Sequence, residues 1–163
     1  MGGHDGQAAD VVLETDASLA PGADRSRSGV IIKVGGILVH WSSTKQSIVA
    51  ISSCDAEINA TVTGVKLAMA IRTMVEGILQ DRVVFTLFGD NQAALISIQT
   101  EITSWRSRHY GMRATWVRDW IKEEEIEVYH KKGTELTADA LTKSSRQDEV
   151  GASESKVGFN AVQ

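Results

Sequence analysis

Four acidic side chains stand where predicted strands end or predicted helices begin, and together they have the chemistry of a metal site. These residues are Asp16, Glu57, Asp90 and Asp139. Carboxylates that crowd together repel one another unless a cation neutralises them, and Mg²⁺ is a hard ion that prefers oxygen ligands. Two such ions about 3.5–4 Å apart activate water and stabilise the leaving oxygen in phosphodiester cleavage. If the four acids converge, they favour a two-metal nuclease.

Each acid taken alone has a simpler structural explanation. Asp16 is explained as a turn residue at the end of a strand, and Asp90 as the N-cap of a helix that begins at Asn91. Glu57 and Asp139 are explained as exposed positions on helices. Because Asp is a common capping residue, no single acid distinguishes the two interpretations. Convergence of all four at one rim of a sheet would favour the metal site.

The first elements of the chain read as a strand followed by a hairpin. Residues 11–16 are apolar and rich in β-branched side chains, and they end on a carboxylate. Residues 28–34 and 37–41 are two apolar runs separated only by Gly35-Gly36. Two glycines between alternating apolar runs are a strong hairpin signal. The sequence therefore predicts three strands, the last two antiparallel.

A long helix follows the hairpin and sets the direction of the next strand. Apolar residues recur at helical spacing from residue 53 to about residue 80, and residues 83–90 form a second apolar strand that ends on a carboxylate. The long helix favours a parallel pairing between this strand and the first strand. Asp16 and Asp90 would then emerge side by side at the carboxyl ends, where open α/β sheets place ligands.

The start of the long helix carries a cap that would hold Glu57 in place. Ser52 is followed three residues later by Asp55, a spacing that resembles a capping box. Glu57 falls in the opening turns, where the helix dipole favours a carboxylate. The cap is therefore predicted to keep Glu57 in register with the other acids.

The second half of the chain adds three helices and one strand. They are a short helix at 91–99, a basic and aromatic helix from about 103 to 123, a short alternating strand at 125–130, and a short helix from 134 to about 142 that carries Asp139. The order β-β-β-α-β-α-α-β-α describes a mixed α/β domain. The predicted fold is a five-stranded mixed sheet, with an antiparallel hairpin and parallel strands, flanked by helices.

Composition limits the class of protein. The 163 residues suffice for one domain, predicted at 10–144. Residues 1–9 are Gly-rich and predicted to be flexible, and residues 145–163 are Ser-, Glu- and Asp-rich and predicted to be disordered. The formal charge of −4 argues against a protein that binds polyanions through bulk charge. The single cysteine excludes an internal disulfide, and the sequence predicts neither a transmembrane helix nor a membrane partner.

Five motifs, in order, resemble those of a known family, the ribonuclease H domain at the end of copia-type (Ty1/copia) LTR retrotransposon polyproteins. The family pattern is approximately W-S-S-K-K-Q, S-S-T-E-A-E, D-N-Q-S-A, K-H-I and A-D-I-L-T-K. The corresponding stretches of this chain span residues 40–46, 52–57, 90–94, 108–109 and 138–143.

The resemblance implies an RNase H-like fold and cleavage of the RNA strand of RNA–DNA hybrids during reverse transcription. It places the catalytic, metal-binding acids of the family on Asp16, Glu57, Asp90 and Asp139. It further implies two Mg²⁺ ions, with Mn²⁺ as a substitute, and a reverse transcriptase domain upstream in a longer polyprotein. The implied location is a cytoplasmic virus-like particle, with the nucleus as an alternative.

The chain departs from the family pattern at several positions, among them Cys54 and Asp55, which replace the Thr and first Glu of S-S-T-E-A-E. The family's first acid lies in a motif like D-A-D-W-A, and residues 15–20 keep Asp16 but lose the aromatic. Ile58 replaces the usual Tyr after Glu57, and Arg108 replaces a Lys. None of these changes removes a metal ligand, so activity is expected.

Several polar residues are candidates for holding the substrate. Asn91 and Gln92 would hydrogen-bond in the minor groove of the hybrid, where the 2′-hydroxyl is exposed. Other contacts would come from Ser43, Lys45 and Gln46 to a phosphate of the partner strand, from Arg108 and His109 in the basic helix, and from His130 in an auxiliary role. A solvated helix face explains the arginines of the basic helix equally well. His130 is also explained as the last residue of its strand.

Two other classes of protein are also compatible with the sequence. One is a catalytically silent nucleic-acid-binding or scaffold domain. The other is an integrase or transposase core, which has the same type of fold and typically uses three acids at a different spacing. The fourth acid, Asp139 within Ala-Asp-Ala-Leu-Thr-Lys, disfavours the second class.

Overall fold

A mixed sheet with helices packed against it is formed by residues 9–20, 24–101 and 108–142, the residues that the computed structural model describes. The strands are β1 (Asp10–Ser18), β2 (Arg27–Val34), β3 (Ile37–Lys45), β4 (Val84–Gly89) and β5 (Glu127–His130). The helices are α1 (Ser53–Leu79), α2 (Gln92–Gln99), α3 (Arg108–Glu123) and α4, which starts at residue 137 and reaches residue 142, the last described residue. A 3-10 turn, Gly133–Glu135, precedes α4.

The strand order is β3-β2-β1-β4-β5, with β1 in the centre. β1 pairs antiparallel with β2 and parallel with β4, and β5 extends the parallel half. The predicted hairpin is confirmed: Gly35 and Gly36 form its turn with φ of 55° and 77°, values that favour glycine. The predicted parallel pairing of the first and fourth strands is confirmed as well.

Helix α1 covers one face of the sheet and packs into the core. Ile58, Val65 and Ala68 are fully buried on its inner side, against alternate residues of the central strands. The helix lies so close to β1 that a Cβ on Gly64 would stand 2.7 Å from Thr15 Cγ2. Each large apolar side chain buried in this core contributes about 1.5–3 kcal/mol to folding.

Both ends of α1 have clear local causes. At the start, Ser52 Oγ accepts a hydrogen bond from Asp55 N at 3.1 Å, and Asp55 Oδ2 accepts one from Ile51 N, also at 3.1 Å. At the end, Gln80 takes a left-handed conformation with φ of 55°. The predicted cap and boundaries of the long helix are confirmed.

Alternation along β1 sends the residues between the core positions to the opposite face. Leu13 and Thr15 contact α1, whereas Glu14 and Asp16 point to the other side. On that side α4 packs closely against β2, because a Cβ on Gly29 would lie 2.8 Å from the Ala138 carbonyl oxygen. The sheet therefore lies between α1 and α4.

Four predicted details are wrong. The third strand does not end at Trp41 but continues to Lys45, because residues 42–45 stay paired with β2. Asn91, not Asp90, is the N-cap of α2, since Asn91 Oδ1 accepts from Ala94 N at 2.9 Å. The helix predicted from residue 134 is interrupted at Leu136, which has an extended backbone and is buried, so α4 begins one residue later. The last strand begins at Glu127 because Glu125 takes a positive φ of 52°.

Other predictions concern residues outside the described part of the chain. These are the flexible N-terminus up to residue 8, the basic helix between residues 103 and 107, and the disordered tail at 145–163. Within the described ranges, no helix combines the length and apolar character needed to cross a membrane.

Candidate metal centre

Three of the four predicted acids meet at one rim of the sheet. Asp16 comes from β1, Asp90 follows β4 directly, and Glu57 lies in the second turn of α1. One carboxylate oxygen from each lies within 4.8 Å of the others. Because β1 and β4 are parallel, their carboxyl ends reach the same edge, and the capped start of α1 brings Glu57 to it.

Glu57 is buried, and its pKa is raised further than that of Asp16. Its side chain accepts a hydrogen bond from Ala17 N at 3.1 Å, which ties α1 to the end of β1. The residue is only 7% exposed. Burial, together with the charges of Asp16 and Asp90, raises the pKa of Glu57 to about 9. In the absence of a cation, Glu57 therefore carries a proton at neutral pH.

Asp16 is perturbed in the same direction. Burial raises its pKa to about 6, the Thr142 hydroxyl that donates to Asp16 Oδ2 lowers it, and the charges of Asp90 and Asp139 raise it. A cation bound here would displace protons and relieve the repulsion. The cluster thus has the electrostatics of a site for a positively charged ligand.

Asp139 approaches the cluster from the first turn of α4 without joining its tightest part. A Cβ on Gly133 would lie 2.8 Å from Asp90 Oδ2 and 3.9 Å from Asp139 Oδ1, so both carboxylates flank the same glycine. A side chain at this position would require the Asp90 carboxylate to move. All four predicted acids are therefore gathered at one rim, with Asp139 outside the group of three.

The chain is similar in sequence to retrotransposon polyproteins. It is 31% identical over 133 residues to the retrovirus-related Pol polyprotein from transposon TNT 1-94 of Nicotiana tabacum, a match that covers 79% of the chain and 10% of the polyprotein. The Ty1-NL2 Gag-Pol polyprotein of Saccharomyces cerevisiae is 26% identical over 120 residues, covering 73% and 7%. The chain thus spans a tenth or less of the length of these relatives. No protein-family model matches it.

Solved ribonucleases H1 have a similar fold. LC11-RNase H1, isolated from compost by a metagenomic approach, gives a TM-score of 0.63 at 15% identity, covering 86% of the chain and 98% of that enzyme. LC11-RNase H1 in complex with an RNA/DNA hybrid gives 0.57 at 11% identity, covering 83% and 95%. Identities this low establish the fold alone. The similarity in sequence is to the retrotransposon polyproteins. Relatives of both kinds are consistent with a copia-type ribonuclease H domain.

Strand β1 carries another acid, Glu14, that the sequence motifs do not single out. Glu14 is 1% exposed, and its Oε1 accepts from Lys33 Nζ and from Lys131 Nζ, each at 3.3 Å. Its Oε2 accepts from Thr137 N at 2.7 Å. Burial alone would raise the pKa of Glu14, but the Thr137 N–H and the two ammonium groups outweigh it and lower the pKa. The available signal was its spacing of two from Asp16, which places both on one face.

Lys45 and Gln46, two predicted substrate contacts, line a cavity of about 310 Å³ between the end of β3, α1 and α3. We call this cavity the basic pocket, since its cations are Lys45, Lys66 and Arg113. Gln46 is buried and donates to Ser28 Oγ and to the Ala56 carbonyl, both at 2.9 Å. It therefore shapes the wall of the pocket next to Glu57.

Arg113 connects the basic pocket to the cap of α1. It donates to Asp55 Oδ1 at 2.7 Å and to Asn59 Oδ1. Asp55 is 2% exposed and therefore forms a buried ion pair that fixes α3 against the start of α1. The opening turns of α1, which carry Glu57, are therefore held by β1 through Ala17 and by α3 through Arg113.

The other residues predicted to contact substrate lie in different parts of the structure. Ser43 Oγ donates to the Leu141 carbonyl at 3.1 Å and thus supports α4. Asn91 caps α2, while Gln92, Arg108 and His109 are exposed at helix starts. His130 is the last residue of β5, and its Nε2 donates to the Asp90 backbone oxygen at 2.9 Å, which brings it to the acidic rim.

Proposed function

We propose that this domain hydrolyses the RNA strand of RNA–DNA hybrids with two bound divalent metal ions during reverse transcription of a retrotransposon. The observation that carries the proposal is the meeting of Asp16, Glu57 and Asp90 within 4.8 Å at the rim of an RNase H fold. Support comes from the solved relative of this fold in complex with an RNA/DNA hybrid.

The residues at the rim fit a pair of hard cations. Asp16, Glu57, Asp90 and Asp139 offer carboxylate oxygens, the ligands that Mg²⁺ and Mn²⁺ accept. When bound, two such ions would activate water and stabilise the leaving oxygen. The raised pKa values of Asp16 and Glu57 mean that these side chains gain most from a cation.

The chain's own contacts orient the ligands in advance. The Ala17 N–H holds Glu57, and the Thr142 hydroxyl holds Asp16. Proton release from Glu57 would accompany metal binding because its carboxyl group is protonated near neutral pH without a cation. His130, hydrogen-bonded to the backbone oxygen of Asp90, would assist proton transfer at the same rim.

Substrate would be held by local positive charge, because the chain as a whole is acidic. We assign the phosphate of the uncleaved strand to the basic pocket, whose lining includes Lys45, Lys66, Thr44 and Thr63. The exposed side chains Gln92, Arg108 and His109 would add further contacts. We expect an upstream reverse transcriptase domain in the same polyprotein to supply the remaining contacts with the hybrid. We further expect the domain to act within a virus-like particle.

A cleavage assay on a labelled RNA–DNA hybrid tests the proposal. The wild type should cleave only with Mg²⁺ or Mn²⁺ and leave 5′-phosphate and 3′-hydroxyl ends, and Asp90→Asn should lower the rate by about a thousandfold or more, since several kcal/mol of charge stabilisation are lost. Single-stranded RNA and duplex DNA are the controls for a general nuclease. Hybrid binding without metal-dependent cleavage would instead indicate a silent binding domain and refute the proposal.

A further inference from the structure

The first turn of α4, which carries Asp139, is attached to the middle of the sheet by one buried carboxylate. Glu14 Oε2 accepts from the backbone N–H of Thr137, the first residue of α4, at 2.7 Å. Lys33 Nζ, which pairs with Glu14 Oε1, also donates to Thr137 Oγ1 at 3.3 Å. Glu14 therefore links the central strand directly to the start of the helix.

The surroundings of Glu14 leave it little freedom. Its Cα pairs with Ile31 of β2 on one side and Phe88 of β4 on the other, so the backbone is fixed by the sheet. Lys131 Nζ lies 3.3 Å from Glu14 Oε1 and 5.3 Å from the centre of the Phe88 ring. Because the Glu14 side chain is held in one position, the group that donates to it is fixed relative to β1.

The first N–H groups of a helix have no partner within the helix, so a carboxylate that accepts from one of them stabilises the first turn. Asp139 is two residues after Thr137. Farther along α4, the Thr142 hydroxyl donates to Asp16 and Ser43 donates to the Leu141 carbonyl. Glu14 thus accepts a hydrogen bond from the first residue of α4, in the same turn that presents Asp139.

We propose that Glu14 is a positioning residue that acts through Asp139, by fixing the first turn of α4 so that this carboxylate stays beside Asp16 and Asp90. The inference rests on the proposed function, because it takes Asp139 to be a metal ligand. β1 then serves the site twice: Asp16 provides a ligand directly, and Glu14, two residues before it on the same face, positions another.

Mn²⁺ binding, followed by isothermal titration calorimetry without substrate, tests this role in the full chain. Glu14→Leu removes the acceptor and leaves its cationic partners unpaired, a change that is strongly destabilising when those partners are buried. Lys33 and Lys131 are about a third exposed and can turn to water. We expect Glu14→Leu to weaken Mn²⁺ binding about tenfold, as for other groups that orient metal ligands. Glu14→Gln, which keeps an oxygen for Thr137 N–H, should lose less.

The double variant separates positioning from a general effect. If Glu14 acts through Asp139, Glu14→Leu should weaken Mn²⁺ binding no further in an Asp139→Asn background. Amide hydrogen exchange at residues 137–142 should be faster in Glu14→Leu. Unchanged Mn²⁺ affinity in Glu14→Leu, an undiminished loss in the double variant, or unchanged affinity in Asp139→Asn would each overturn the proposal. If Glu14→Leu does not fold, Glu14→Gln carries the same comparison.

Glu76→Gln is the matched control. Glu76 also accepts from one backbone N–H, that of Val83, and from one cationic side chain, Arg72, but it does so at the far end of α1. Its substitution should leave Mn²⁺ affinity unchanged, and an equal loss would show that any lost ion pair weakens binding. Because these readouts need no cleavage, a wild type that binds Mn²⁺ but leaves the hybrid intact would refute the proposed function and still test Glu14.

Discussion

The two ends of α1 both gather acidic side chains, but they treat the charge in opposite ways. At the C-terminal end, Glu76 accepts from Val83 N and from Arg72 Nε, each at 3.0 Å. Arg72, 5% exposed, also donates to the carboxylate of Glu124 at 3.3 Å. The Val83 N–H and the Arg72 guanidinium hold the pKa of Glu76 below its ordinary value. These acids stabilise the fold.

At the N-terminal end, the acids are gathered against their mutual repulsion. Within the described part of the chain, no lysine or arginine forms an ion pair with Glu57 or Asp16, and the pKa of each is raised. Burying carboxylates in this way costs stability unless a ligand neutralises them. The contrast between the two ends shows which acids serve the fold and which are kept for a cation.

The largest expected effect comes from exchanging one acid at each end for its amide. Glu57→Gln removes a proposed metal ligand and should lower hybrid cleavage by about a thousandfold or more. Because Glu57 is already protonated at neutral pH without metal, this variant should fold normally in EDTA. Glu76→Gln should retain activity and lose about 1–2 kcal/mol of unfolding free energy.

Initial rates on the hybrid and urea unfolding curves measure the two properties separately. The comparison between the ends of α1 would fail if Glu57→Gln kept normal activity, or if Glu76→Gln lost activity while remaining folded.

The pH dependence of stability should also differ with and without metal. A carboxyl whose pKa is higher in the folded than in the unfolded state stabilises the fold below the unfolded pKa, and this contribution is lost as pH rises through the folded pKa. For Glu57 the window runs from its ordinary value near 4.5 up to about 9, and for Asp16 from 3.8 up to about 6. Stability in EDTA should therefore fall between about pH 5 and pH 8, by at most about 5 kcal/mol, most of it from Glu57.

Saturating Mg²⁺ should remove most of this decline, since bound ions replace the protons. Thermal unfolding across this pH range, in EDTA and in Mg²⁺, provides the measurement. Glu57→Gln is the control, because it abolishes the larger titration. A wild-type profile in EDTA that stays flat or rises with pH would contradict the electrostatic account of the rim.

Much of the fold could be predicted because its causes are local in sequence. Two glycines between apolar runs specify the hairpin, and apolar spacing specifies α1. The parallel pairing of β1 and β4 then follows from the long connection, and it brings Asp16 and Asp90 together. Turn chemistry, apolar periodicity and one topological rule were thus enough to predict the elements that form the rim.

The details that could not be predicted depend on contacts between distant residues. Glu14 draws its partners from β2, from the residue after β5 and from α4, up to 123 residues away, and no local pattern reports that convergence. The choice of Asn91 over Asp90 as the cap of α2 was also hidden, because Asn and Asp cap helices about equally well. In the structure β4 ends at Gly89, and the Asp90 carboxylate that follows lies with those of Asp16 and Glu57 at the rim.

The smallest expected effect tests whether the cap of α1 serves the metal centre as well as the helix. Ser52→Ala removes the acceptor for Asp55 N and should cost about 1 kcal/mol of unfolding free energy. Asp55 would still be held by Arg113 and by Ile51 N, so the helix should persist with a looser first turn. Since Glu57 lies one turn farther along, Mn²⁺ affinity should fall by a few fold, a loss that the equally destabilised Glu76→Gln should not show. Calorimetric titration of both variants decides the point: equal Mn²⁺ affinities would mean that the cap stabilises α1 without positioning Glu57.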